Sequence, residues 1–354
     1  MKIKIVICVF LIIIIFIVSI FLFWKEEFES SIDNTEIKPL APTKYIYPFK
    51  NIKQFKPSSC SIQPYDSQDP NKLYIMNIRY INYSFDDEGV IYYHSPDTIG
   101  KTKNVAVFLN SSYKPSGQPM IMKEDYINYP AEYEGLEDIR LFYHQNQLKC
   151  IACCANIINN GKFNKGGKVI IVMVVGDYNV QNNLITNLKV IGSPYRLTIE
   201  KNWIFVNDQY VSRLENSENR KGKMNFIYEW NPLKIGYANE NDKLQIYKEY
   251  DVPELFKLFR GSTIVIEYDG SLFCVVHYLK NKKPRIYHHC LVQFEYGTLK
   301  PIAITNPFIF MNKGVEYCIG FDIKDNIAYF IFSTDDSVPS LIETPMKTFT
   351  LNKI

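Results

Sequence analysis

The segment Tyr133–Cys154, YEGLEDIRLFYHQNQLKCIACC, places Glu134, Glu137, Asp138 and Arg140 within seven residues, directly ahead of a strand-like apolar run. Carboxylates and a guanidinium at this density can move protons, hold an anion, or lock a corner of the fold through ion pairs. A carboxylate beside another acid is expected to have a raised pKa, which suits an acid/base group. The elements that must position these residues decide between the three.

Strand-like pairs recur around short polar turns in NIRYINYSFDDEGVIYYH, EDIRLFYHQNQLKCIACC, EKNWIFVNDQYVSRL, RGSTIVIEYDGSLFCVVHY and EYCIGFDIKDNIAYFIFST. Their turn centres fall near Glu88, Asn146, Asn207, Asp269 and Asp325, a period of roughly sixty residues. Five strand-rich units predict an all-β fold, a five-bladed β-propeller, over residues 61–354. A β-sandwich has turns at similar density but no such period. The 15% aromatic content, with 26 Tyr and 23 Phe, suits pleated surfaces.

Ahead of the turn centres, at one phase of the repeat, stand Arg79, Glu137, Glu200, Arg260 and Glu316. The first strand of each propeller blade lines the central channel, so these five are expected to converge in a funnel. Asp138, Arg140, Lys201, Asn202, Trp203, Ser262, His277 and Asp335 lie near the same strand ends. The ring as a whole reads as an active or binding site. For any single member the alternative is a structural ion pair.

The stretches EGLEDIRLF, EKNW and FRGST resemble motifs of the five-bladed-propeller glycoside phosphorylases and hydrolases acting on β-mannosides, and of related glycosyltransferases. In that group a Glu-Asp-x-Arg motif opens one blade, and Lys-Asn-Trp-like and Arg-Gly-(Gly/Ser)-(Ser/Thr) motifs follow. The same order holds here across residues 70–340, with Ile139 standing where the phosphorylases carry Pro. The resemblance implies a glycan-active enzyme, a glycosyltransferase or glycoside phosphorylase, with Asp138 as acid/base beside Glu137. A sugar phosphate or nucleotide sugar needs cationic partners, and Arg79, Arg140, Lys201 and Arg260 are the natural set. Trp203 is a candidate to stack on a sugar or to fill the core. His277 is equally a sugar ligand or a core histidine. Glu200, Asn202, Ser262, Glu316, Asp335 and Asp336 complete the candidate sugar contacts. The sequence STDDS lacks the Asp-x-Asp metal motif, so neither metal nor cofactor is expected. A glycoside hydrolase, or a non-catalytic propeller that binds glycans or a protein, remain the alternatives.

The twenty residues Ile5–Trp24 carry no charge, long enough for a membrane-spanning helix. Lys2 and Lys4 precede the run, and Lys25, Glu26, Glu27 and Glu29 follow it. No small-residue cleavage site ends it, so residues 1–25 are expected to be an uncleaved signal-anchor. Basic residues at the start place the N-terminus in the cytoplasm and the body in a lumen or outside the cell. Residues 26–60 read as a stem. Two glycosylation sequons begin at Asn82 and Asn110, and the partner on that side would be a glycan acceptor. Beyond Cys8 in the apolar run, seven cysteines remain, an odd number for internal disulfides. Cys150, Cys153 and Cys154 follow an apolar strand pattern rather than a metal knuckle. With a net charge of only +3 and no Lys/Arg block, no nucleic-acid partner is expected.

Overall fold

Runs such as YIMNIRYI (Tyr74–Ile81), buried at every position, can only be strands covered on both faces. The computed structural model describes residues 37, 39–40, 43–85, 90–125, 133–157, 169–195, 199–279 and 285–354. The apolar run Ile5–Trp24, Cys8 and the turn centre Glu88 lie outside the described residues. Among the described residues no helix is long and apolar enough to cross a membrane.

Most of the described strands pair into five antiparallel runs, here units I to V, with Tyr83–Phe85 and Ile91–Tyr93 forming a separate hairpin. Unit I is Lys56–Pro64, Tyr74–Ile81, Gly100–Leu109 and Pro115–Glu124, and unit II is Glu137–His144, Gln147–Ile157, Val169–Asn179 and Leu184–Ile191. Unit III is Ile204–Val206, Asn225–Trp230, Leu233–Ala238 and Leu244–Tyr250. In unit IV the first strand is split into Arg260–Gly261 and Ile266–Tyr268, followed by Ser271–Leu279, Tyr287–Glu295 and Pro301–Thr305. Unit V is Glu316–Lys324, Ile327–Thr334 and Val338–Pro345, completed on its outer edge by Tyr45–Ile46. The last strand, Leu351–Lys353, pairs back onto unit IV.

First strands face one another. Lys56–Pro64 packs against both Glu316–Lys324 and Glu137–His144, so units V, I and II are neighbours. Apolar clusters fill the junctions: Ile75 and Ala106 with Ile139 and Leu141 between I and II, and Phe142 and Ile151 with Phe205 between II and III. Phe273 and Phe308 meet Phe330 between IV and V, while Ile78 and Val105 meet Ile331 and Leu341 between V and I. Between III and IV, Trp230 packs on Phe259 and Phe294. The arrangement is propeller-like, with each unit sharing its core with the next.

Three hairpins turn where the sequence places them. Gln145–Asn146, Asp269–Gly270 and Asp325–Asn326 all have positive φ at both central positions, the backbone that a tight right-twisted hairpin needs. Two expectations fail. Asn207 centres no hairpin; its side chain accepts from the Gln209 N–H and starts the 3₁₀ turn Asp208–Val211, part of a longer connection to Asn225–Trp230. Arg79 lies on the second strand of its unit, not the first. It still reaches the same end because neighbouring strands run antiparallel.

The expected stem also ends early. Pro39–Ile354 forms one compact unit, and residues 45–46 and 56–60 are already strands within it. Cys60, Cys150, Cys153, Cys154, Cys274, Cys290 and Cys318 are buried free thiols.

Gly261 lies where units III and IV meet most tightly. A Cβ there would sit 2.3 Å from the Asn202 carbonyl oxygen and 2.6 Å from Ile204 Cγ1. Gly261→Ala is therefore expected to destabilise the fold by about 1–3 kcal/mol, read as a lower urea midpoint. Gly117→Ala meets nothing within 4 Å and tests only the strain of a positive φ of 86°.

Candidate active site

Adjacent residues on a regular strand point to opposite faces, so Glu137 and Asp138 should not share a site. A bulge changes this. Cys153 pairs with Glu137 and Ile151 with Arg140, leaving Asp138 and Ile139 opposite the single residue Ala152. Asp138 takes a positive φ of 53° at this point. Just before it, Gly135 passes so close to Thr102 that a Cβ would lie 2.3 Å from its carbonyl oxygen. Both carboxylates then reach one guanidinium from unit I. Arg79 Nη1 meets Asp138 Oδ1 at 2.8 Å, and Arg79 Nη2 meets Glu137 Oε1 at 3.0 Å. Tyr83 accepts from Arg79 Nη2 at 2.5 Å, and the Tyr317 hydroxyl donates to Asp138 Oδ2 at 3.2 Å.

Arg140 behaves differently from the expected phosphate ligand. It is 1% exposed, and its guanidinium donates inward. Its Nε bonds the Ser262 carbonyl, Nη1 the Asp138 carbonyl at 3.1 Å, and Nη2 the Gly261 carbonyl at 3.2 Å. Nη2 also meets the Tyr317 hydroxyl at 3.1 Å and Asn202 Oδ1 at 3.5 Å. One side chain from unit II thereby holds backbone or side chains of units IV and V and of the segment entering unit III.

The electrostatics divide the carboxylates. Burial pushes the Asp138 carboxyl up, but Arg79, Arg140, the Tyr317 hydroxyl and Lys201 together hold it below the usual value. The raised pKa expected for Asp138 is therefore corrected: its neighbours are cations rather than acids alone. Asp336 carries the raised value. Burial and the negative charges of Asp138 and Glu137 outweigh Arg79 and Arg285, pushing it up to about 6. Burial, then the charges of His289, Arg260, Arg140 and Lys201, drive the His277 imidazole well down, so it is neutral. Its Nδ1 lies 2.7 Å from Ser262 Oγ, and its ring packs on Tyr287 and Tyr317.

Other expected members are placed elsewhere. Glu316 is fully buried, and its carboxylate accepts from the backbone N–H groups of Phe310, Met311 and Asn312, fixing that loop. Asp335 is exposed on a turn, and its N–H bonds Val315. Trp203 is 1% exposed, which leaves no face for a sugar; its indole N–H donates to Glu200 at 3.0 Å. Glu200 also accepts from Tyr228 at 3.1 Å. Tyr317, which sequence reasoning missed, stands one position beyond Glu316, which it chose. Strand alternation from the buried Glu316 points Tyr317 to the other face, a signal available in the sequence.

Beside this centre lies a cleft of about 720 Å³ between units III and IV, lined by Glu200, Lys201, Asn202, Arg260 and Gly261 among others. Lys201 and Arg260 are exposed and pair with no described acid, whereas Lys234 is held by Glu229 at 2.7 Å. An open cleft with two uncommitted cations beside a buried, ionised carboxylate can hold an anionic group next to a proton-handling one.

Known structures share this architecture. A β-1,2-mannobiose phosphorylase from Listeria innocua, solved with β-1,2-mannobiose, superposes with a TM-score of 0.53 at 9% identity, covering 86% of this chain and 96% of that one. The chain has the mannoside-phosphorylase fold. A structure reported for the GH130 family of mannoside phosphorylases, with hydrolases that target β-1,2 mannosidic linkages in Candida mannan, gives 0.52 at 12% identity, covering 90% and 93%. A GDP-Man-dependent mannosyltransferase from Leishmania mexicana shares the fold at 0.50 and 10% identity, covering 92% and 97%. No protein-family profile and no curated protein matches the sequence.

The two charged contacts of the motif are separable. Arg140→Lys loses most of five donations and strands buried carbonyls of Gly261 and Ser262, an expected cost of about 2–4 kcal/mol in urea unfolding. Asp138→Asn leaves every Arg140 contact in place, because Arg140 bonds the backbone of residue 138, and should cost less than half as much.

Proposed function

We propose that this chain is a glycan-active enzyme built on a five-bladed propeller, and that it moves a mannosyl-type sugar between a phosphate-bearing group and a hydroxyl acceptor. The observation that carries this reading is the pair of uncommitted cations, Lys201 and Arg260, opening beside the Asp138–Arg79–Glu137 centre. Hydrolysis requires no anion pocket, whereas phosphorolysis or transfer from a sugar phosphate or nucleotide sugar does. The mannoside preference rests on the shared fold and on the motif order, with fold alone leaving the chemistry open.

In this reading Lys201 and Arg260 bind the phosphate oxygens and offset charge that builds on them. Asp138, ionised and fixed by Arg79 and Tyr317, faces the positive charge that develops at the anomeric carbon or takes the proton of an acceptor hydroxyl. Asp336 gives a proton to the departing sugar oxygen when the bond breaks. Arg79 and Arg140 position these groups rather than bind substrate. Residues 5–24 would anchor the enzyme, with the body outside the cytosol.

The test is a donor screen on the full chain in mild detergent with GDP-mannose, mannose 1-phosphate or mannobiose plus phosphate. Released GDP or phosphate, or newly formed mannose 1-phosphate, supports the reading. Free sugar from mannobiose without phosphate would replace it with hydrolysis, and inertness towards all three with a binding role. Asp138→Asn should lower kcat by roughly 10²–10⁴. Lys201→Ala or Arg260→Ala should raise KM for the phosphate-bearing substrate about tenfold without moving Tm. Because Asp336 must be protonated to act as acid, bond-breaking kcat should fall as pH rises through about 6, and Asp336→Asn should remove that limb.

The proposed topology has its own check. Asn82 is fully buried, with its side chain bonded to Ser95, Ile99 and Lys101, so only Asn110 can carry a glycan. Expression in a eukaryotic secretory host should give one endoglycosidase-sensitive shift that Asn110→Gln abolishes. A shift lost only in Asn82→Gln would contradict the burial of that side chain.

A further inference from the structure

A second cleft, of about 520 Å³, opens at the turn end of units I and II. It lies at the opposite end of strand Glu137–His144 from Asp138: Tyr143 lines it, five residues on and roughly 17 Å away along the strand. Its chemistry is the reverse of the first cleft. The only charged residues lining it are Asp66 and Asp177, and Asp177 is already paired with Lys149 and with Asn187 Nδ2 at 2.7 Å. The lining offers no cation to hold a phosphate or other anion. The rest of the lining is two half-buried tyrosines, Tyr65 and Tyr143, the buried Leu148, Tyr178 and Val180 at its floor, and amide and hydroxyl groups around them.

We infer that this cleft is a separate binding site for a neutral oligosaccharide. A sugar ring presents an apolar face that stacks on an aromatic ring, and an edge of hydroxyls that both donate and accept. Tyrosine faces, carboxylates that accept, and amides that do both match that pattern, and neither an apolar ligand nor an anion does. The volume lies within the range of small-ligand clefts.

The groups are also held in place beforehand. Gln181 Nε2 donates to the Tyr65 hydroxyl at 3.4 Å, and the Tyr65 ring packs edge-on to Phe108 at 5.0 Å. Units I and II are joined beside the cleft by direct backbone pairing of Lys123 with Leu184 and Glu124 with Ile185. Walls fixed to one another bind without the cost of ordering. The site would hold a stretch of neutral glycan away from the anion cleft, and it stands whichever reaction that cleft performs.

The test titrates the full chain carrying Asp138→Asn, so that nothing is turned over, with mannotetraose, xylotetraose and chitotetraose, followed by saturation-transfer NMR and calorimetry. At least one neutral tetrasaccharide should bind, about tenfold more weakly when Tyr65→Ala is added and about equally with Tyr65→Phe, which keeps the ring. Gln147→Arg, at an exposed position facing Asp177, should close the cleft and remove the same component of binding that Tyr65→Ala weakens, without lowering Tm. Mannose 1-phosphate should bind equally with and without Tyr65→Ala. The inference is overturned if no neutral tetrasaccharide binds at roughly 10 mM. It is equally overturned if binding persists unchanged in both Gln147→Arg and a Tyr65→Ala protein of normal Tm. Loss of donor turnover in the assays of the first cleft would leave this result untouched, so the two readings fail separately.

Discussion

A buried guanidinium must have its donors satisfied or it costs several kcal/mol, and Arg140 satisfies them with three main-chain carbonyls, the Tyr317 hydroxyl and the Asn202 amide oxygen. That requirement organises the middle of the molecule. Segments 138, 202, 261–262 and 317 must approach one side chain from four directions. The approach at Gly261 leaves no room for a Cβ, and the backbone of Asp138 bends through a positive φ to present its carbonyl. Once the backbone of residue 138 is fixed from behind, its carboxylate has one orientation, against Arg79 and Tyr317. The same contact that holds the units together therefore aims the candidate catalytic group.

The two arginines of this centre illustrate how differently one residue type can be used. Arg79 is paired with two carboxylates, so its charge is locally cancelled, and it helps to hold Asp138 ionised. Arg140 is paired with neutral carbonyls, so its positive charge persists and reaches both Asp138 and His277. The outcome is a centre with one carboxylate held ionised, one near neutrality in its titration, and a histidine held uncharged. Such a separation of protonation states among close neighbours is what acid/base chemistry at neutral pH requires.

Much of this was legible in the sequence, with a consistent kind of error. Period and turn chemistry located three of the hairpins because Asn, Asp and Gly at positive φ leave a direct mark. The turn at Asn207 was misread because an Asx-capped 3₁₀ turn uses the same residues. For the site, charge clustering found Glu137, Asp138 and Arg79, but composition says nothing of which face a side chain takes. Glu316 stands where Tyr317 faces the centre, a slip of one residue on a strand of period two. The bulge at Asp138, which breaks that period, has no marker in the sequence beyond Gly135. Arg140 was read as a ligand because a motif reveals charge and conceals burial.

The outer edge of unit V is supplied by Tyr45–Ile46, whose partners Leu341 and Ser340 lie almost at the other end of the described chain. This fixes an order of events during translation. Tyr45 and Ile46 leave the ribosome early and find no partner until Val338–Pro345 has been made, on the order of tens of seconds later at ordinary elongation rates. For that interval the nascent chain carries open sheet edges and the unfilled face of the cluster around Ile331 and Leu341. Units II and III can assemble meanwhile, since their partners are close in sequence. Closure of unit V is thus a late event in the folding of the nascent chain, followed by the pairing of Leu351–Lys353 onto unit IV.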